Sequence, residues 1–221
     1  AAEWGCHKQP ITDSDIQHVL DVCKAVKETW GPCAKKDFIL NLPQTVERRP
    51  PHHYADMIAY FIEHYPYMDE TTISIHSHND QGCAVASSEF AVMAGAERVE
   101  GTLFGHGERT GNVDICTMAL NLESRNIPTG LNFTDMPRIV KLVETVTSIE
   151  VHERHPYAGQ LAFTAFSGSH QDAIRKGMDN IEKAREIFGV KWKVPYLHID
   201  PADIGRKYEK LIRINSQSGK G

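Results

Sequence analysis

Up to about residue 126 the chain alternates between two hydrophobic rhythms. Beyond it, only one continues. Ile16, Val19, Leu20, Cys23 and Val26 recur at helical spacing, which predicts a helix from Thr12 or Asp13 to Trp30, stopped by Gly31-Pro32. Phe38 to Leu42 is a short apolar run that reads as a buried strand ended by Pro43. Pro50 and Pro51 suit a first helical turn, and Ile58, Phe61, Ile62 and Tyr65 continue that helix. Thr72 to His76 reads as a strand, Cys83 to Ala94 as a helix with a small-residue face, Arg98 to Leu103 as a strand and Val113 to Leu122 as a helix. Phe61, Phe90, Met93 and Met118 fall on the helical stripes and are expected in the core. His52, His53 and His64 lie near helix ends and are expected to be solvated.

Strand, loop and helix repeating at about 30 to 35 residues is the signature of a parallel α/β sheet. An open doubly wound sheet and a piece of an eight-fold barrel both fit. In either, functional groups gather at the carboxyl ends of the strands, here Asn41–Thr45, His76–Asp80 and Leu103–Asn112. After Asn126 the strand rhythm stops. Ile127-Pro128-Thr129-Gly130 reads as a linker, and Thr134 or Asp135 caps a helix to Ser148. Residues 151–159 read as irregular, 167–188 as one or two helices and Ile204–Ile212 as another. The expected organisation is an α/β part over 1–126 and a mostly helical subdomain over 127–221.

Composition narrows the function classes. Apolar residues make up 41% of the 221 positions and charged residues 24%, ordinary for a globular chain. Twenty-four Lys and Arg against 29 Asp and Glu give a net charge of −5, which argues against nucleic-acid binding through a general positive field. No apolar run approaches the roughly 18 residues that cross a bilayer, and Ala1–Pro10 lacks the order of a secretory signal. Five scattered cysteines without Cys-x-x-Cys spacing suit a reducing cytosol.

Three segments could carry chemistry. His76 and His78 stand two apart on a strand and point to one face, so both imidazoles can reach one metal ion, with Asp80 close by. The alternative is a hydrogen-bonded polar pair. Gly105-His106-Gly107-Glu108-Arg109-Thr110-Gly111-Asn112 puts three glycines in a strand-to-helix loop, allowing positive φ and an anion or thioester cradle at free N–H groups. The alternative is a tight turn with Glu108 and Arg109 paired. The spacing matches neither a Walker loop nor a dinucleotide fingerprint. Asn41 and Thr45 could hydrogen-bond a substrate or merely cap a loop. Ser167-Gly168-Ser169-His170 opens a helix that either serine can cap. Its positive end favours a neutral His170, able to act as base or acid or to have no chemical role.

Together His76-Ser77-His78-Asn79-Asp80, Gly105 to Asn112 and Phe166 to Ala173 resemble the 2-isopropylmalate synthases in their longer form, within the barrel metallo-lyases and synthases named for an Asp-Arg-Glu motif. Asn41-Leu42-Pro43, Thr45-Val46-Glu47, Tyr54-Ala55-Asp56, Val194-Pro195-Tyr196 and Asn215 to Gly221 extend the resemblance from about Thr12 to Gly221. It implies the C-terminal part of a (β/α)₈ barrel followed by a helical subdomain, in a homodimeric cytoplasmic acyltransferase. Its reaction would be a Claisen condensation of acetyl-CoA with 3-methyl-2-oxobutanoate, giving 2-isopropylmalate and CoA in leucine biosynthesis. His76 and His78 would be metal ligands, with Asn112 a further ligand or neighbour. The ion would be Mg²⁺ or Mn²⁺, with Zn²⁺ also seen in the family and K⁺ as an activator. Thr45, Asn41 and Gly107 would serve substrate binding, and Glu108 would shape the acetyl-CoA loop. His170 and Tyr196 would assist proton transfer in the partner subunit's site.

The departures are specific. The Asp-Arg-Glu motif is absent from the chain, and Glu3-Trp4-Gly5-Cys6-His7 stands where the family has Glu-Phe-Ser-Pro-Glu. Gln81 replaces the family's Arg, and His106 its Asn. The chain is expected to be a piece of a longer protein, inactive alone. A synthase for another 2-oxo acid (homocitrate or citramalate) and a non-catalytic metal-binding relative are the competing readings.

Overall fold

The computed structural model describes residues 13–209. The expectations on Glu3 to His7 and on Asn215 to Gly221 lie outside the described residues.

Helix α1 (Asp13–Trp30) is closed by Gly31, whose N–H donates to the Lys27 carbonyl at 3.0 Å. Strand β1 (Ile39–Gln44), helix α2 (Pro51–His64), strand β2 (Thr72–Ser77), helix α3 (Ala84–Met93), strand β3 (Arg98–Glu100) and helix α4 (Ile115–Ser124) follow. The sheet is parallel with order β1-β2-β3, so each crossover advances by one strand in the same direction. Leu42 stands opposite Ile75, Pro43 opposite His76, and His76 opposite Glu100.

The two-residue period of the strands divides the sheet chemically. Leu42, Ile73 and Ile75 point to one side and are buried with Tyr54, Ile58 and Phe61 of α2 and Ala91 of α3. Ile58, Phe61, Ile73 and Ile75 retain no exposed surface, each worth about 1.5–3 kcal/mol of burial. The other side carries Asn41, Ser74, His76, Arg98 and Glu100, placed there by the same register. One face thus holds the fold together, and the opposite face is free for chemistry.

The structure departs from the sequence reading at four places. Pro43 does not end β1. The N–H groups of Thr72 and His78 donate to the carbonyls of Phe38 and Gln44, so the even-numbered residues of β1 bond to β2, and the missing N–H of Pro43 points away from that ladder. Strand β3 stops at Glu100. A Cβ on Gly101 would lie 2.4 Å from the Val113 carbonyl, and the Thr102 N–H donates to that same oxygen at 3.0 Å. Phe61 and Met118 are buried, but Phe90 and Met93 are exposed, because α3 packs through its small side: Ala84, Ser87, Ser88 and Ala91. Finally, the described part of the helix expected over Ile204–Ile212, residues 204–209, is not helical beyond a terminal turn. A short 3₁₀ turn (Pro201–Ile204) ends at Gly205 with φ 69°, and residues 206–209 run irregularly.

The chain divides into two compact units between Met118 and Ala119, within α4. The second unit carries α5 (Met136–Thr147), α6 (Gly168–Asp179) and α7 (Ile181–Phe188). Asp135 caps α5 by accepting from the Arg138 N–H at 3.2 Å. The unit buries Phe133, Met136, Tyr157, Phe163, Ile174, Val194, Leu197 and Ile204. Arg206 binds it internally. Its guanidinium donates to the carbonyls of Tyr157, Ala158, Gly159 and Gln160 at 2.7–3.4 Å and lies over the Phe163 ring.

Candidate active site

The three strand-end segments singled out in the sequence meet in the first unit. The Asn79 N–H donates to the Gly111 carbonyl at 2.9 Å, and the Val113 N–H to that of Ser77 at 2.8 Å. These bonds bring the glycine loop alongside the His76-x-His78 segment. The two imidazole centroids lie 5.1 Å apart, as the shared strand face requires. Asn112, buried beside them, approaches His76 Nε2 with its amide nitrogen at 3.0 Å. Asn41 reaches Glu100, donating at 3.1 Å, and Glu100 lies 3.8 Å from His76 Nδ1.

Arg109 clamps the loop. Its guanidinium donates to both carboxylate oxygens of Asp80 at 2.7 and 3.0 Å, to the Thr45 carbonyl at 2.7 Å and toward His78 Nδ1 at 3.0 Å. This one side chain ties together all three strand ends. The guanidinium holds the Asp80 carboxyl at a pKa of about 2, well below its usual range. Burial, then the neighbouring His76 and Arg109, push the His78 imidazole down, so the neutral ring can accept from Arg109 at Nδ1.

Two expectations for the loop are corrected. Arg109 pairs with Asp80, not Glu108, because its own φ of 51° turns it back across the strand ends. The first turn of α4 does not offer free N–H groups to an anion, since the Asp114 carboxylate takes those of Cys116 and Thr117 at 3.0 Å each. The positive φ expected of the glycines is present at Gly105 and Gly111. Gly107 has a different reason: a Cβ there would fall 1.7 Å from Asn112 Oδ1, so only glycine leaves room for Asn112. Gln81 is exposed, with its N–H on the buried Glu47 carboxylate, and the His106 ring lies 6.3 Å from that of Phe104.

The family metal can be tested against these residues. His76 Nδ1 is buried without a hydrogen-bond partner. His76, the Asn112 amide 3.0 Å from its Nε2, and the neighbouring His78 suit one side of a divalent site. Among the described residues no group of three or more His, Cys, Asp or Glu could hold an ion.

In the second unit Ser167 stands at the N-cap of α6 but makes no cap hydrogen bond, its hydroxyl lying 2.9 Å from that of Ser169. His170 in the first turn stacks on Tyr196, with centroids 4.0 Å apart and 23° between planes. A cavity of about 350 Å³ beside them is lined by Thr164, Ser167, His170, Ile174 and Tyr196. The pairing of His170 with Tyr196 was not evident from the residues alone. Arg109, Glu47 and Glu100 were also missed as parts of the site. For Glu100 a signal existed, since strand alternation puts it on the face of His76.

Comparison with known proteins places these features. A family model described as HMGL-like matches residues 2–143, and one described as α-isopropylmalate synthase, post-catalytic domain-like, matches residues 160–221. The chain is 51% identical over 213 residues to the 2-isopropylmalate synthase of Rhodospirillum rubrum, covering 96% of the chain and 38% of that protein. It is 54% identical over 220 residues to that of Marinomonas sp. strain MWYL1, covering 99% and 39%. The chain therefore spans under two-fifths of the length of the curated relatives it matches. Two solved structures share its fold. An HMG-CoA lyase from Acinetobacter baumannii, in complex with coenzyme A and 3-methylmalate, matches with TM-score 0.51 at 17% identity over 72% of this chain and 48% of that one. The lyase of Bacillus subtilis matches with TM-score 0.51 at 19% identity over 66% and 48%.

Proposed function

The chain belongs to the HMGL-like family, and from that premise we propose that it is part of a 2-isopropylmalate synthase. Its first unit supplies the C-terminal βα units of the (β/α)₈ barrel. Its second begins the helical region that follows. The whole protein condenses acetyl-CoA with 3-methyl-2-oxobutanoate, giving 2-isopropylmalate and CoA, as a cytoplasmic homodimer. The observation that supports this reading most is the convergence of His76, His78 and Asn112 at the strand ends, in a chain about half identical to named synthases.

His76, His78 and Asn112 would hold a divalent ion, Mg²⁺ or Mn²⁺, which when bound supplies Lewis-acid polarisation of a keto group. Arg109 keeps Asp80 ionised and the Thr45 segment in place. Thr45, just past the end of β1, and Asn41, within β1 with its amide on Glu100, would orient the 2-oxo acid. Gly107 leaves Asn112 its position, and Glu108 borders the loop that would meet acetyl-CoA. His170, stacked on Tyr196, offers an imidazole and a phenol together: one group to take the methyl proton of the thioester, the other to return a proton to the product alkoxide. The pair would act in the site of the partner subunit. A chain holding only part of the barrel and of the ligand set is expected to be inactive by itself.

The test is CoA-thiol release by the full-length protein with 3-methyl-2-oxobutanoate, pyruvate, glyoxylate or 2-oxoglutarate, each with and without chelator. Chelator-sensitive release with the branched acid alone is expected. Release with another acid would move the substrate assignment, and release with none would refute the enzyme reading.

A further inference from the structure

Tyr196 and His170 are both exposed, Tyr196 at 63%, yet their rings stack at 4.0 Å. No surrounding core holds the phenol there, so its position must come from the backbone that carries it. That backbone is a turn. The Leu197 N–H donates to the Val194 carbonyl at 3.3 Å, Pro195 takes the second position, and Tyr196 takes the third with φ 62°. Proline followed by a positive φ is the pattern of a type II turn, whose third position ordinarily falls to glycine. The chain keeps a tyrosine in a conformation that disfavours it, and the turn must therefore be held from outside.

Two contacts do so. His170, Ile174 and Gly177 recur at four- and three-residue spacing and share one face of α6. On that face a Cβ at Gly177 would stand 2.6 Å from Cδ of Pro195 and 3.0 Å from Cγ1 of Val194. Val194, Leu197 and Ile174 are buried. The Trp192 indole N–H donates to the Leu197 carbonyl at 2.7 Å, fixing the end of the turn.

We propose that Gly177 and Trp192 are positioning residues: Gly177 lets the Val194–Leu197 turn seat against α6 at the depth where Tyr196 meets His170, and the Trp192 indole holds the turn in that form. The geometric part stands on these contacts alone. The kinetic part rests on the proposed roles of His170 and Tyr196.

The test uses the full-length protein with ¹³C-labelled histidine rings. The His170 signal is identified by its loss in His170→Asn, and the ring-current shift from Tyr196 by its change in Tyr196→Leu. Gly177→Ala should remove most of that shift and lower kcat about tenfold, as misplacement of a catalytic group does, with KM for the 2-oxo acid held within about twofold. Alanine is the better helix former, so a weakened α6 does not explain such a loss. Pro195→Ala added to Gly177→Ala removes the clashing ring and should return both shift and kcat towards wild type. Trp192→Phe removes the N–H together with the five-membered ring that carries it and should act in the same direction as Gly177→Ala. It remains informative if Gly177→Ala fails to fold. An unchanged shift in both Gly177→Ala and Trp192→Phe overturns the proposal, and so does a loss that Pro195→Ala does not reverse. A lost shift with unchanged kcat would leave the positioning intact and refute the catalytic reading of the His170–Tyr196 pair.

Discussion

A side chain on Gly107 would begin 1.7 Å from Oδ1 of Asn112. The glycine of the loop is therefore a condition for the amide that lies 3.0 Å from His76. Gly107→Ala is expected to displace Asn112 and weaken divalent-metal binding by the full-length protein about 10- to 100-fold, the usual range for loss of a supporting contact at a metal site. Calorimetric titration with Mn²⁺ measures this, and unchanged affinity would separate Asn112 from the metal.

Tyr196 carries two separable properties. Tyr196→Gly relieves the positive φ of the turn, so stability should hold or rise by about 1 kcal/mol, while kcat collapses for want of the ring. Tyr196→Phe keeps the stack and loses only the hydroxyl. Thermal melts and steady-state kinetics on both variants separate turn strain from proton transfer.

Arg206 reaches four consecutive carbonyls from a half-buried position. Arg206→Ala removes the charged donor from these four carbonyls and should destabilise the helical unit by about 2–4 kcal/mol, in line with lost charged hydrogen bonds. Urea unfolding monitored by far-UV circular dichroism, alongside tryptophan fluorescence, checks the value.

Glu70 accepts from the Lys27 ammonium at 2.7 Å and from the Cys33 N–H at 3.1 Å, which hold its carboxyl below the ordinary 4.5 and raise Lys27 above 10.5. The depressed carboxyl contributes stability above pH 4.5 that is lost as pH falls through its folded value. The raised ammonium contributes below pH 10.5 and loses its share as pH rises past it. Glu70→Gln should therefore lower Tm at pH 7, with the difference closing on acidification below pH 4.5. Melting curves across that range test the sign.

The sequence showed which faces the strands present but not which partners they find. Apolar runs marked Phe38 to Leu42 and Thr72 to His76 as strands, the two-residue period put His76 and His78 on one face, and the strand-end rule located all three site segments. The period of a strand carries no information about what a long side chain reaches. Arg109 meets Asp80 across 29 residues and Thr45 across 64, and Asn41 meets Glu100 across 59. The small-residue face read for Cys83 to Ala94 is the one α3 packs through, while Phe90 and Met93, counted as core on the helical stripe, are exposed. The seat of the Val194–Leu197 turn on Gly177 was invisible for a further reason. A glycine inside a helix leaves no pattern until its neighbour is known.

The central claim is that these residues belong to a metal-dependent condensation of a thioester methyl with a branched 2-oxo acid. The most direct measurement incubates the full-length protein with [methyl-¹³C]acetyl-CoA, 3-methyl-2-oxobutanoate and Mg²⁺, and follows the label by NMR. The account predicts label in the new methylene of 2-isopropylmalate, with one equivalent of free CoA thiol, and loss of both in His76→Ala. Free thiol with label appearing only in acetate, or product formation that survives His76→Ala, would contradict it.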